Sequence, residues 1–348
     1  MMSILVTGGT GYIGSHTCLL LLKKGFTLYI IDSEVNSSRN VLEKISMIND
    51  SETKDFKEKV NFFKGDIRDF SFLKKVFFKA LQKKEPIEYV FHFAGLKSVA
   101  ESTMYPTKYW DNNVLGTINL LKVMNKNNCK NLIFSSSATI YQAVKNVKIK
   151  ENFHISPINT YGETKSTIEK ILESIFISEP NQWRIANLRY FNPIGAHQSG
   201  LIGEKPVGVP NNIFPILLKV AKRKQKTFKI FGKDWDTFDG TCIRDYIHIM
   251  DLAEGHVAAF KFLKENDSQI LNLNLGTGKG HSVLELINTF KKINNVDIPY
   301  EFTSRRKGDN EYVVADNSLA ISLLDWSPKL SIIDMCRDGW NWGKENEI

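Results

Sequence analysis

Thr7-Gly8-Gly9-Thr10-Gly11-Tyr12-Ile13-Gly14 stands between two segments of different periodicity. Ser3-Ile4-Leu5-Val6 before it is short, apolar and partly β-branched, as a buried strand requires. After it, Ser15 to Lys24 places Cys18, Leu19, Leu21 and Leu22 along one face of a helix. At such a strand-to-helix turn, Gly8 permits the tight turn, Gly11 lets backbone approach a pyrophosphate, and Gly14 lets the helix pack close to the strand. The helix N-terminus offers N–H groups and a positive dipole end to phosphate. Thr27-Leu28-Tyr29-Ile30-Ile31 reads as the second strand and ends at Asp32, 18 residues after Gly14. A carboxylate there accepts hydrogen bonds from a ribose 2′-hydroxyl and repels a 2′-phosphate, so NAD is expected in preference to NADP.

The alternation continues outward. Helical periodicity covers Val41 to Ile48, followed by a polar loop to Lys59; Val60 to Lys64 reads as a strand and Phe70 to Lys83 as a helix. Strands at Tyr89–Phe93, Leu132–Ser135 and Ile185–Arg189 alternate with helices at Asn113–Asn127 and Thr164–Ser178. Six strands with crossover helices predict an α/β fold, a doubly wound parallel sheet of Rossmann type. Ligands of such sheets lie at the carboxyl ends of the strands. That groups Gly8–Gly14, Asp32, Asp66, Ala94–Lys97 with Gly95, Ser135–Thr139 and Tyr190–Gly195. Asp66 either contacts the adenine end or caps the next helix. Beyond about residue 190 the pattern loosens, with helices near Phe214–Lys222, Leu252–Leu263 and Val283–Lys292. The expected division is a dinucleotide domain over 1–190 and a smaller C-terminal α/β substrate domain over 191–348. The boundary is soft, with a return crossing near 244–251.

Composition bounds the partners. The 348 residues are 42% hydrophobic and 24% charged, ordinary globular values for about two domains. No apolar run reaches the roughly 18 residues of a membrane span, and no signal peptide is expected, since the first strand begins at Ser3. A cytoplasmic protein is the expectation. The four cysteines and seven histidines are scattered without metal-ligand spacing, so no metal is expected. Net charge is +8, but the lysines spread along helices and loops, without the interleaved aromatic-basic motif of a nucleic-acid binder. Solvated faces account for most of them, and an anionic substrate for a few.

Tyr161-Gly162-Glu163-Thr164-Lys165 places a phenol and an ammonium four residues apart, one helical turn. A nearby cation favours phenolate, and an oxidised nicotinamide adds to the effect. A tyrosine of ordinary pKa needs roughly 4 kcal/mol of differential stabilisation to be half-ionised near neutrality. Such a group takes a proton from a sugar hydroxyl while hydride leaves the same carbon. Ser135-Ser136-Ser137, at the end of the fifth strand, offers a second hydroxyl to polarise that oxygen.

These residues carry a resemblance. The chain is similar to the UDP-glucose (UDP-galactose) 4-epimerases, extended short-chain dehydrogenases/reductases. The matching stretches run in order along nearly the whole chain: LVTGGTGYIGSHT (5–17), FHFAGLKSVAES (91–102), DNNVLGT (111–117), FSSSATIY (134–141), YGETK (161–165), LRYFNPIGAH (188–197), GVPNN (208–212), RDYIHIMDLA (244–253), NLGTG (274–278) and RRKGD (305–309). The resemblance implies Tyr161 as catalytic base and acid, Lys165 as its pKa tuner and nicotinamide-ribose ligand, and Ser137 as hydroxyl partner. It implies Tyr12, Ile13, Asp32, Asp66, Ile67, Phe93, Ala94, Lys97, Asn112 and Phe191 around NAD. Asn192, Asn211, Asn212, Arg244, Arg306 and Asp309 are implied around a UDP-hexose. Guanidinium groups suit a diphosphate, which they bind through paired hydrogen bonds; for Arg306 the competing reading is a solvated pair with Asp309.

The implied reaction oxidises sugar C4 transiently, lets the 4-keto sugar turn over, and returns hydride to the other face. The resemblance also implies a homodimer, paired through helices around Trp110–Met124 and Thr164–Ser178. Departures are Gln142 where the family has Gly, the polar stretch Asn49–Lys59, and Val313 at a position beside the hexose where some members carry tyrosine. Valine there implies either a wider pocket, open to N-acetylated UDP-sugars, or a side chain that simply packs in an apolar wall. A nucleotide-sugar 4,6-dehydratase would share the fold, but Thr139-Ile140-Tyr141 lacks the acid that water elimination needs. A non-enzymatic dinucleotide sensor would keep the glycines without Tyr161 and Lys165.

Overall fold

A computed structural model describes residues 2–49, 54–142, 145–208, 210, 212–306 and 308–347. Strands β1 (Ser3–Thr7) and β2 (Thr27–Asp32) are buried at every position. Both faces of a parallel sheet are covered by helices, which is why their sequences are nearly continuous apolar runs. They are joined by β3 (Val60–Lys64), β4 (Ile87–His92), β5 (Asn131–Ser137) and β6 (Arg184–Tyr190). The order in the sheet is β3-β2-β1-β4-β5-β6, with Gln269–Leu275 as a seventh strand beside β6. That strand is absent from the six expected. Its alternating Leu-Asn-Leu-Asn-Leu lacks the continuous apolar signal, and only its last three residues are buried. Strand order reverses between β1 and β4, so the crevice of the fold opens at their carboxyl ends.

Helix α1 (Tyr12–Lys23) starts three residues earlier than its apolar face predicts. The helix Thr160–Ser178 starts four residues earlier than expected. Gly162 is a weak helix former, but Asn159 accepts a hydrogen bond from its N–H at 2.9 Å and supplies the cap. Both Tyr161 and Lys165 therefore lie within the helix. Asp69, rather than Asp66, caps the helix Phe70–Gln82, accepting from Phe72 N–H. The expected loop before β3 contains a short helix, Lys54–Lys59; residues 50–53 of that polar stretch lie outside the described residues. The helix expected at Asn113 opens with a π-turn, Trp110–Leu115, before the α-helix Gly116–Lys126.

The chain forms two compact units. The first comprises Met1–Ile140, Ile155–Arg189 and Ala253–Leu273; the second comprises Tyr141–His154, Tyr190–Leu252 and Asn274–Ile348. The return crossing thus starts at Ala253, and Arg244–Asp251 belongs wholly to the second unit. The helix Ile249–Glu265 makes that crossing and leads to the seventh strand. The excursion Tyr141–His154 was not foreseen. Within the second unit Asn274 anchors it: its side chain accepts from the Tyr141 hydroxyl at 2.8 Å and donates to Ile149 O at 2.8 Å.

The second unit packs around Phe214, Leu218, Phe290, Met335 and Trp342. Its last helix, Ile332–Glu345, begins with a Ser331–Asp334 capping box. Lys222 Nζ donates to the carbonyls of Gly343 and Asn346 at 2.8 and 2.6 Å, placing a cation at the negative end of that helix. No helix of the described residues is long and apolar enough to cross a membrane.

Candidate active site

The glycine loop in the first unit is a tight backbone cradle. Gly8 has φ +70°, and a Cβ at Gly14 would lie 2.2 Å from Gly8 O and 2.9 Å from Gly9 Cα. No side chain caps α1, whose N-cap is Gly11, and its first turn carries no acid. Uncapped N–H groups without a competing carboxylate fit a pyrophosphate. Tyr12 and Ile13 occupy that first turn and are partly buried.

Asp32 is 7% exposed. Its Oδ2 accepts from Thr10 N–H at 3.1 Å, and its Oδ1 from Glu34 N–H at 2.9 Å and Ser37 Oγ at 2.8 Å. Thr10 and Ser37, unforeseen in sequence, are joined by a 2.9 Å hydrogen bond. The carboxylate therefore binds the glycine loop to the loop after β2 as well as offering acceptor capacity to a ribose. Asp32→Ala is expected to weaken NAD at least about tenfold, the range of one or two lost charge-assisted hydrogen bonds. It should also shift relative preference toward NADP. Titrating cofactor-free protein with both dinucleotides checks this, and an unchanged preference removes Asp32 from the ribose site.

Asp66 is held by Arg68, whose Nε and Nη2 lie 3.1 and 2.7 Å from Oδ2; this contact keeps the Asp66 carboxyl below its usual range. Arg68 also reaches Asp111 Oδ2 at 2.5 Å. Ile67 is buried, Asn112 and Phe93 are partly buried, and Lys97 is exposed. At the carboxyl end of β4, the N–H groups of Phe93 and Ala94 both donate to Thr7 O, at 3.0 and 3.1 Å. Ala94 N would lie 2.7 Å from a Cβ on Gly8, so the two loops meet at the switch point.

Buried Asn113, one residue beyond the expected Asn112, organises the rest of this loop. Its Oδ1 accepts from Leu96 N–H at 2.8 Å, and its Nδ2 donates to Leu96 O and to Thr164 Oγ1, each at 3.1 Å. Gly95 sits beside the Asn113 side chain. A second buried chain links the same elements. Thr117 Oγ1 donates to Asn113 O at 2.6 Å and so accepts from His92 Nε2, at 2.8 Å. That leaves His92 Nδ1 to accept from Thr7 Oγ1 at 2.7 Å. Burial pushes the His92 pKa down to about 3, and the Lys165 ammonium adds to the effect, so this imidazole is a neutral strut.

Tyr161, Lys165 and Ser137 come together. Lys165 Nζ donates to Ser135 O at 2.6 Å and lies 5.9 Å from the Tyr161 ring centroid. Burial pushes its pKa down to about 7, partly offset by Glu169. Ser137 Oγ accepts from Thr139 N–H at 3.2 Å and Thr139 Oγ1 at 3.0 Å, which leaves its own proton free to donate. Burial pushes the Tyr161 phenol up to about 12, opposed only in part by the Ser137 hydroxyl. Half-ionisation near neutrality therefore needs roughly 7 kcal/mol of added stabilisation, more than an ordinary tyrosine would.

In the second unit, Ile243–Arg244 pairs in parallel with Tyr312–Val313, with Val313 in register with Arg244 and Tyr312 with Ile243. Registered neighbours share a face, so Val313 rather than Tyr312 shares the face of Arg244. Asp309 Oδ1 lies 3.9 Å from Arg244 Nη2, and Asp309 Oδ2 lies 3.0 Å from Arg306 Nε. Arg306 pairs with Asp309 in this structure, and its guanidinium also lies 4.4 Å from the Phe231 ring centroid.

Asp245 was not foreseen. Fully buried, it accepts from Thr277 N–H and Oγ1, Gly278 N–H and Ala315 N–H, at 2.6–3.1 Å. Its backbone carbonyl accepts from Asn192 N–H at 3.0 Å. An acid directly before the apolar Tyr246-Ile247 was the available signal, since buried carboxylates require donors. Phe191 is buried, and its N–H donates to Leu275 O at 3.2 Å. Asn212 Nδ2 donates to Glu204 Oε1 at 2.6 Å. Asn211 lies outside the described residues.

A sheet in this order, a glycine loop at its switch point and a Tyr-x-x-x-Lys helix docked on the serines ending β5 define an extended short-chain dehydrogenase/reductase. A family profile described as GDP-mannose 4,6 dehydratase matches residues 5–339. The UDP-glucose 4-epimerase GEPI48 of Cyamopsis tetragonoloba is 45% identical, over 99% of this chain and 95% of its own. The bifunctional protein GAL10 of Pachysolen tannophilus is also 45% identical over 99% of this chain, which spans 49% of that longer protein. A crystal structure of UDP-glucose 4-epimerase from Stenotrophomonas maltophila, with NAD and formylated UDP-arabinopyranose, is 41% identical. It superposes with a TM-score of 0.92 over 99% of this chain and 98% of its own. The chain belongs to the UDP-glucose 4-epimerase family.

Proposed function

We propose that the chain interconverts UDP-glucose and UDP-galactose with NAD as a bound catalyst. The observation that carries this reading is the cluster of Tyr161, Lys165 and Ser137 on a dinucleotide fold, in a family whose relatives bear that activity. NAD, held by the glycine loop and Asp32, supplies a hydride acceptor that later returns the hydride, and brings a positive charge toward Tyr161. Tyr161 takes the proton of the sugar 4-hydroxyl and gives it back after the sugar has turned. Ser137 donates to that same oxygen. Lys165 offsets the developing phenolate. Arg244, with Asn192, Asn212 and Arg306, holds the uridine diphosphate, so that only the hexose moves. The test is nuclear magnetic resonance of UDP-galactose incubated with purified protein and no added cofactor. UDP-glucose must appear; a 4,6-dehydrated product or no reaction removes the proposal.

Two finer readings depend on it. Arg244→Ala should weaken UDP binding about 10- to 150-fold, the range of a lost charge-assisted hydrogen bond, with NAD content unchanged. Calorimetry with UDP showing full affinity would withdraw Arg244 from the diphosphate. Val313, on the Arg244 face, carries no ring beside the hexose, and on this reading UDP-N-acetylglucosamine and UDP-N-acetylgalactosamine are further substrates. Val313→Tyr should abolish that second activity and spare the first; wild type inert toward N-acetylated sugars refutes the wider pocket.

We also infer a cytoplasmic homodimer. All four cysteines are free and buried, consistent with a reducing compartment. Thr167, Lys170, Ile171, Ser174, Ile175 and Ser178 line a shallow groove on the Thr160–Ser178 helix, and Ile177 is 69% exposed. Sedimentation should give twice the chain mass; a monomer at working concentration excludes the pairing.

A further inference from the structure

Tyr161, Lys165 and Glu169 recur every four residues along the Thr160–Ser178 helix, so they line one face. Each addresses one of three consecutive serines at the end of β5. Tyr161 stands beside the Ser137 hydroxyl, Lys165 donates to the Ser135 carbonyl at 2.6 Å, and Glu169 Oε1 accepts from Ser136 Oγ at 2.5 Å. Glu169 is also clamped from β6. Arg189 Nε donates to its Oε1 at 3.0 Å and Nη2 to its Oε2 at 2.7 Å. Both residues are nearly excluded from water, at 6% and 2% exposure. A fork of this kind leaves the carboxylate no freedom to move.

We propose that Glu169, immobilised by Arg189 and Ser136, is a positioning residue that keeps Lys165 charged and in register beneath Tyr161 during the reaction. This rests on the catalytic reading of Tyr161 and Lys165 given above. Burial alone drives Lys165 toward the neutral amine, and a neutral amine cannot support a phenolate. The groups facing Lys165 are few. On its own helix are Tyr161 and Glu169; from β4 comes neutral His92, and Phe134 of β5 places its ring 4.8 Å from Nζ. Arg189 from β6 grips the far side of the Glu169 carboxylate and is not among the charges acting on Lys165. Glu169 is therefore the one anion among these groups.

Glu169→Gln keeps the shape and removes the charge. With the holoenzyme, the alkaline limb of kcat against pH should move down by about one pH unit or more, the size of a lost neighbouring charge. A titration of the Lys165 side-chain amine by ¹⁵N resonance, identified by its loss in Lys165→Met, should move down equally. Ser136→Ala, which retains the charge, should leave both midpoints in place. A purely structural role would lower stability and leave both midpoints unmoved in every variant, and that result overturns the proposal. Glu169→Gln takes the carboxylate away from buried Arg189, and failure to fold is one outcome. In that case Glu169→Gln/Arg189→Gln removes the pair together, which folding tolerates better, and is read in the same resonance titration with the same two outcomes. Full turnover in Lys165→Met would instead show that the catalytic reading had failed, independently of Glu169.

Discussion

Tyr161→Phe should lower turnover at least about a hundredfold, the usual contribution of a general acid–base group, while the fold and bound NAD are retained. The substitution removes one oxygen and keeps the ring within the packing around Lys165. Ser137 keeps both hydrogen bonds from Thr139, so the β5 terminus should not rearrange. The loss should appear in kcat with little change in KM, because the oxygen is proposed to act on the reacting hydroxyl and not on the uridine diphosphate. Steady-state rates with both UDP-hexoses, beside the NAD content of the same preparation, check it. A variant at wild-type kcat excludes Tyr161 as the base.

Gly14→Ala is expected to give folded protein that carries no NAD. The added Cβ would stand 2.2 Å from Gly8 O and 2.9 Å from Gly9 Cα, and neither is the end of a flexible side chain that could swing away. Gly8 cannot yield easily, since its N–H donates to Ile31 O at 2.7 Å and its Cα abuts the Ala94 backbone. The loop must open, and the N-terminus of α1 moves off the pyrophosphate position. Overpacking of this kind costs typically about 1–3 kcal/mol of stability, which a two-unit chain can survive. NAD released on denaturing the variant, or calorimetry with added NAD, measures the effect. A stoichiometric complex would mean that the cradle does not hold the dinucleotide.

Periodicity carries most of the sheet from the sequence. Both faces of β1 and β2 are buried, so their residues are apolar throughout, and the glycine spacing reports a local turn that needs no distant information. Tyr161 and Lys165 are legible for the same reason, since one helical turn relates them. What escaped depends on partners remote in the chain. Asp245 is satisfied by donors at Thr277, Gly278 and Ala315, 32 to 70 residues away. Glu169 finds Ser136 and Arg189 on two strands, and Asn113 finds Leu96 and Thr164. A buried polar residue announces that it must be paired without saying to what. The seventh strand escaped because its asparagines are used: Asn272 accepts from Asn187, and Asn274 anchors Tyr141. Those bonds replace the apolar signal by which a strand is read.

The central claim is that C4 is oxidised and reduced again by the same hydride while Tyr161 exchanges only the hydroxyl proton. UDP-galactose carrying deuterium at C4 tests it most directly. The account predicts UDP-glucose that retains deuterium at C4 after many turnovers in ordinary water. Loss of that label to solvent would mean that a carbon-bound proton, rather than a hydride, leaves the sugar, and would contradict the account.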